Sequence, residues 1–281
     1  MSALNGFETS IFSLYKKTDP DFKITAVKGK TIEISDQTLA KLRRTPGVEV
    51  VSRTLEGKSI LQYGDQQTVC KVVGVDEYFF KRIQMDSLIT AGKPMLYDSQ
   101  RDSLGGVSSM AILSEGLVYR LGVGKIDEPI SLLVVDKTAG VHSADALKTQ
   151  IFIPSAIVHL PEEENDYTVF ISAKDAGYLY GLDPKKEATT LEVRAKEGTR
   201  GRNRKMLDLQ NQLHVVFGNK CAVFNQQQQH PMMYKMFNTE KWISFAILTF
   251  VLMLISFNLV GALTLMVLDK RNDFVLFRNL G

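Results

Sequence analysis

The stretch "WISFAILTFVLMLISFNLVGALTLMVL" (residues 242–268) decides the architecture of this chain. No charged residue occurs from Ile243 to Leu268. As a helix rising about 1.5 Å per residue, that run is about 39 Å long, more than the roughly 30 Å hydrocarbon core of a bilayer. A helix buried in a soluble core is usually shorter and keeps a polar face. Here only Asn258, one glycine and a few small residues break the apolar surface. Trp242 and Lys241 stand at one end, where interfacial anchors belong, and Lys270, Arg271 and Arg278 follow the other. Positive-inside reasoning puts Lys270 and Arg271 in the cytoplasm and residues 1–241 outside, against Lys235 and Lys241 on the other side.

Working outward, the remaining sequence is of globular composition. The 281 residues are 44% hydrophobic and 23% charged, and the part before the apolar run is long enough for one large domain or two small ones. A net charge of +3 gives no nucleic-acid footprint. Cys70 and Cys221 allow one disulfide outside the cytoplasm, and two free buried thiols are the preferred reading. No CxxC, HExxH or Cys/His cluster points to a metal.

Leu4, Phe7, Ile11 and Leu14 recur at helical spacing up to Pro20, so residues 1–18 are expected as a stalk helix. Phe22–Ile34, turning at Lys28-Gly29-Lys30, reads as a hairpin. Ser35 or Asp36 caps a short helix with Leu39 and Leu42 inward, stopped by Pro46-Gly47. Two longer strands flank Gly64-Asp65, a hairpin signal. A short aromatic helix follows at DEYFF, then a loop at 97–106. Beyond it come strand and helix in MAILSEGLVYRLGV, a buried strand in ISLLVV, strands in IFIP, YTVFIS and TTLEVRA, and a helix in AKDAGYLYGL. Met206, Leu209, Leu213 and Val216 mark a further helix, and the polar tract at 225–231 ends it. Strands alternating with short helices predict an α+β domain over 19–231. One helix is then expected from Met232 through Leu268, half outside the bilayer and half within it.

Candidate chemistry is sparse. EGKSI (56–60) carries the GKS of a phosphate loop but has Ser52 where that loop needs glycine. EEEND (162–166) could hold a cation and RGRNRK (200–205) could meet lipid headgroups or an acidic partner, but a solvated turn and a solvated helix start are the preferred readings. No GxSxG elbow supports a nucleophile. Within the apolar run, Asn258, Gly261, Ala262 and Leu265 fall at i, i+3, i+4 and i+7. Such a stripe lets a second helix approach closely and offers it a hydrogen bond.

Several phrases carry a family resemblance: SALNGFE (2–8), TVCKVVGVD (68–76), SSMAILSEGLVYRLGVGKID (108–127), FNTEKWISF (237–245) and SFNLVGALTLMVLDKRNDFVLFRNLG (256–281). With them the chain resembles the permease subunits of lipoprotein-releasing ABC transporters, within the wider group of macrolide-exporter and cell-division permeases. In the family a Gly-Asp often precedes the strand at ISLLVV, where this chain has GKIDEP. The resemblance implies a two-lobed extracytoplasmic α+β domain on helical stalks, followed by a second transmembrane helix and, over 269–281, the start of a cytoplasmic coupling segment. It also implies a longer parent with four such helices. Phe245, Phe250, Met253 and Phe257 are implied as apolar wall of the cavity that receives acyl chains. Asp269, Lys270, Arg271, Phe274, Phe277, Arg278 and Gly281 are implied as contacts to a separate ATPase. That subunit would bind ATP and Mg, so no cofactor or catalytic residue is expected in this chain. The implied partners are the ATPase, a second identical or related permease, a lipoprotein substrate, a soluble periplasmic lipoprotein carrier and lipid of the bacterial inner membrane. Two other readings stay open. One is the same scaffold exporting peptides or small molecules, or regulating cell-wall hydrolases; the other is a single-span receptor or adhesion module.

Overall fold

The computed structural model describes residues 18–83, 85–98, 108–126, 128–135, 147–160, 167–200 and 202–280, so the expected stalk over 1–18 lies, but for Thr18, outside the described residues. So do residue 99 onward of the expected 97–106 loop and the acidic run at 162–166. The first elements are β1 (Phe22–Ala26), β2 (Ile32–Glu33), α1 (Asp36–Arg44), β3 (Val48–Tyr63), β4 (Gln66–Val75) and α2 (Glu77–Arg82). Next come β5 (Ile89–Gly92), β6 (Tyr97–Asp98), β7 (Ser108–Ser114), α3 (Glu115–Leu121), β8 (Ile130–Val135) and β9 (Leu147–Val158). The last are β10 (Thr168–Ser172), α4 (Ala173–Tyr180), β11 (Glu187–Ala188), β12 (Thr190–Ala195), α5 (Asn203–Phe217), β13 (Cys221–Asn225), α6 (Gln226–Gln229) and α7 (Pro231–Leu280). Two compact units result, residues 1–229 and 230–281.

Local signals account for several of these. Ser35 caps α1 by accepting from the Thr38 amide, and Leu39 and Leu42 are buried as their spacing requires. Gly64 takes a left-handed turn and joins β3 to β4 in register from Tyr63↔Gln66 to Thr54↔Val75. In β3, Val51, Leu55 and Leu61 face buried clusters, whereas Ser52, Thr54 and Glu56 point to the other side.

β3 organises the domain. Its first half pairs with β12, and the sheet continues through β1 to β13. Its second half closes a circuit: β3 pairs β4, β4 pairs β10, β10 pairs β7, β7 pairs β9, β9 pairs β8, and β8 returns to β3. The chain therefore builds a sheet lobe and a barrel-like lobe that share one strand. In the sheet lobe, α1 and α5 cover a core containing Ile24, Leu42, Val51, Leu191, Leu209 and Leu213. In the barrel lobe, α3 and α4 pack on a core with Leu61, Val72, Leu113, Phe152 and Ile171. A third cluster, around Phe79, Ile112 and Phe170, fills the opposite face. Helix α4 lies so close to β3 and β4 that a Cβ on Gly74 would stand 2.1 Å from Ala176 Cβ, and one on Gly57 2.3 Å from the Tyr180 ring.

Two expectations are corrected. Phe22–Ile34 is not a hairpin: β1 has β12 and β13 on its two edges, and β2 pairs with β11. The chain does turn at Gly29, but both hydrogen-bonding edges of β1 are filled by strands distant in sequence. ISLLVV, expected as a buried strand, is a barrel wall only partly buried: Ile130 and Leu132 are buried, and Val135 is 61% exposed. Cys70 and Cys221 are both free and buried, and burial pushes the Cys70 thiol up to about 12.

Candidate functional site: the apolar helix and the chain-entry clasp

Helix α7 is uninterrupted for 50 residues, about 75 Å at 1.5 Å per residue. Pro231 opens it, where the missing N–H costs nothing. Its segment Pro231–Lys270 is long and apolar enough to cross a membrane, and none of its most apolar stretch is buried. The hydroxyls in the run turn inward on the helix itself: Thr249, Ser256 and Thr264 donate to the carbonyls of Phe245, Leu252 and Val260 at 2.8–2.9 Å. Asn258 has no such bond, so its amide is open to a neighbour.

The predicted positions sort by helical phase. At about 100° per residue, Phe250, Met253 and Phe257 share an arc of about 60°. Phe245 lies about 80° outside that arc, and its ring meets Trp242 edge-on at 6.2 Å. Asn258, Gly261, Ala262 and Leu265 occupy the adjoining arc, all exposed, and a Cβ on Gly261 would meet nothing within 4 Å. Asp269 and Lys270 are exposed on the same helix. The backbone remains helical to Leu280; the side chains of Arg271, Phe274, Phe277 and Arg278, and Gly281 altogether, lie outside the described residues.

The domain holds its incoming and outgoing chain side by side. Phe22 pairs with Asn225 across β1 and β13, so Pro20 and Gln226 emerge at one edge. There Gln229 Nε2 donates to the Pro20 carbonyl at 3.1 Å, and Gln226 Nε2 to Asp21 Oδ1 at 3.5 Å. Asp21 is buried, pairs with Arg200 at 3.0 Å and accepts the Ala195 amide at 2.8 Å. Asn225 Oδ1 accepts from the Gln228 amide, and Gln228 Oε1 accepts from both the Asn225 amide and Gln210 Nε2, each at 3.0 Å. The polar tract that breaks the helical pattern is thus a lattice of amides fastening the exit.

Arg82 anchors the entry. It is 3% exposed, donates from Nη1 to the Thr18 carbonyl at 2.8 Å and pairs through Nη2 with Glu192 at 2.7 Å. Its guanidinium stands 4.9 Å over the Phe79 ring, and Arg194 donates to its carbonyl. Burial pushes the Glu192 carboxyl above the usual range, with Arg82 opposing. On the same face Glu56 bridges Lys23 at 3.0 Å and Lys71 at 3.2 Å. Sequence reading missed Asp21, Arg82, Glu192 and the pairing of Arg200; only Asp21 is touched by the Gln tract, through Gln226.

Burial alone would raise the Glu56 pKa, but Lys71 and Lys23 outweigh it and hold the carboxyl below its usual value. The unfolded chain titrates near about 4.3, so this contribution is complete above that value and lost as pH falls through the lower folded one. Glu192 runs the other way, since protonation relieves its buried charge. Comparison with Glu56→Gln isolates the first effect. The melting-temperature advantage of wild type over the variant is expected at neutral pH and to vanish as the pH falls through the lowered folded value. An advantage unchanged across that range would contradict the charge bridge.

No known family profile matches the chain, and no curated protein matches it. Among solved structures, the periplasmic region of MacB from Actinobacillus actinomycetemcomitans aligns with a TM-score of 0.51 and 10% identity, over 80% of this chain and 98% of that one. The extracellular domain of the ABC-type transporter YknZ from Gram-positive bacteria aligns with a TM-score of 0.46 and 10% identity, over 73% and 99%. A permease-protein domain from Porphyromonas gingivalis aligns with a TM-score of 0.43 and 15% identity, over 75% and 93%. The domain over residues 18–229 therefore has an α+β fold of the MacB periplasmic type, and one helix long and apolar enough to cross a membrane follows it in the chain among the described residues.

Proposed function

We propose that this chain is the outer domain and second transmembrane helix of an ABC-transporter permease that extracts lipoproteins from the bacterial inner membrane. One observation carries the reading: a single unbroken helix leaves a domain of MacB periplasmic fold and runs through the apolar span to Leu280. A helix satisfies its backbone internally even in lipid, so it transmits axial force without exposing polar groups. ATP hydrolysis in a separate subunit displaces the segment Asp269–Gly281, and α7 carries the displacement to the domain. Phe250, Met253 and Phe257 form one apolar strip for acyl chains. Lipoprotein as cargo is favoured by the phrase at 2–8, and a soluble carrier would accept it. The test is to reconstitute the full-length polypeptide containing this chain, with its ATPase, in vesicles holding a triacylated lipoprotein and to follow transfer to the carrier. ATP-dependent transfer is expected; ATP turnover with the lipoprotein retained in the vesicles rejects the reading.

The stripe at Asn258 is the proposed seat of a second permease helix. Asn258→Leu is expected to weaken self-association of the chain in micelles by about 3- to 20-fold, the range for single interhelical hydrogen bonds in membranes. Energy transfer between labelled chains measures it, and unchanged association removes the stripe from the interface.

A further inference from the structure

We propose that the end of the domain from which the chain exits is a docking surface for anionic phospholipid headgroups. The inference rests on the reading of α7 as a membrane helix. The last turn of α1 and the first turn of α5 lie at this end: Lys196 donates its amide to Gly47, just past α1, and Ala195 bonds Asp21 beside the exit. Exposed there are Lys41, Arg44, Lys196, Arg202, Arg204 and Lys205. None of the six forms an ion pair among the described residues. The acids at this end are Asp19, Asp21, Glu49, Glu197 and Asp208, of which Asp21 is buried and paired with Arg200, and they are fewer than the cations.

Two features separate this surface from an ordinary solvated face. Helix α5 starts without a side-chain cap and without an acid in its first turn. Cations at Arg202, Arg204 and Lys205 oppose its dipole, an arrangement that an external anion relieves. On α1, Gln37, Ala40, Lys41, Arg44 and Thr45 line a depression of about 490 Å³, roomy enough for a phosphate headgroup between two cations. The length of the outgoing chain fits the same partner. From Pro231 to Trp242 the helix rises about 17 Å, so only a short length of chain separates the exit from the interfacial anchor. Each basic side chain on an anionic surface contributes about fivefold to binding.

The full chain is placed in nanodiscs of phosphatidylcholine with and without phosphatidylglycerol, and amide hydrogen exchange is read at Lys41–Thr45 and Arg202–Met206. Exchange slowed about tenfold or more by the anionic lipid is expected, with the difference lost near 0.5 M salt. It is also expected to be lost in Lys41→Gln/Arg44→Gln/Arg202→Gln/Arg204→Gln, whose core exchange should match wild type. Equal exchange in both discs overturns the surface. So does equal protection in neutral discs by inorganic phosphate, which identifies a free-anion site, or by polyglutamate, which identifies an acidic protein. A chain that enters neither disc overturns the membrane reading of α7 instead.

Discussion

Exchanging Arg82 for methionine is expected to destabilise the domain by about 3–5 kcal/mol, the cost of leaving a buried charge without its partner. Glu192 is only 6% exposed and already carries a carboxyl pushed up by burial. Without the guanidinium it must either remain ionised in an apolar setting or take up a proton, and both are paid by the folded state. The same substitution removes the donor to the Thr18 carbonyl, so the entering chain loses its anchor. The ion pair itself is not the source of net stability, because desolvating two charges consumes most of what their attraction returns. Arg82→Met/Glu192→Leu is therefore expected to recover most of the loss. Denaturant midpoints of the full chain in detergent decide it. A single substitution costing less than about 1 kcal/mol, or a double variant no better than the single, contradicts Arg82 as the main partner of the buried Glu192.

Why this pair escaped sequence reading is a matter of register. Signals contained within a few residues were legible: the Ser35 cap and inward Leu39 and Leu42 of α1, the Gly64 turn between β3 and β4, the apolar run of α7. The failed hairpin shows the boundary. Lys28-Gly29-Lys30 specifies that the chain reverses, but which strand then lies beside β1 is set by side chains far along the chain, at Leu191 and Val223. Burial of Arg82 and Glu192 follows from the same distant pairing, since β12 brings Glu192 next to Lys23 and opposite Ser52. Alternation marks Glu192 only as the polar face of a strand. It carries no sign that α2 approaches that face. β13 was missed for a related reason: its five residues are followed at once by the Gln tract, which reads as a loop until its amides are seen bonded to Pro20, Gln210 and Asn225.

Inserting Gly-Pro after Tyr234 is expected to abolish lipoprotein transfer while ATP turnover continues. Proline inside a helix removes a backbone bond and clashes with the preceding turn, at about 3 kcal/mol or more, and glycine adds slack. Here the insertion falls in the first turns of α7, where the Tyr234 amide bonds the His230 carbonyl at 3.2 Å. Two added residues also rotate the rest of the helix by about 200°, so phase must be separated from stiffness. Inserting Ala-Ala gives the rotation without the break. Inserting seven alanines nearly restores phase, within about 20°, and keeps the rod stiff. If α7 acts as a lever, transfer survives the seven-residue insertion and fails with Gly-Pro. If orientation alone matters, Ala-Ala fails as completely as Gly-Pro. If α7 is a passive tether, transfer proceeds at the wild-type rate with Gly-Pro in place, and force transmission through this helix is wrong.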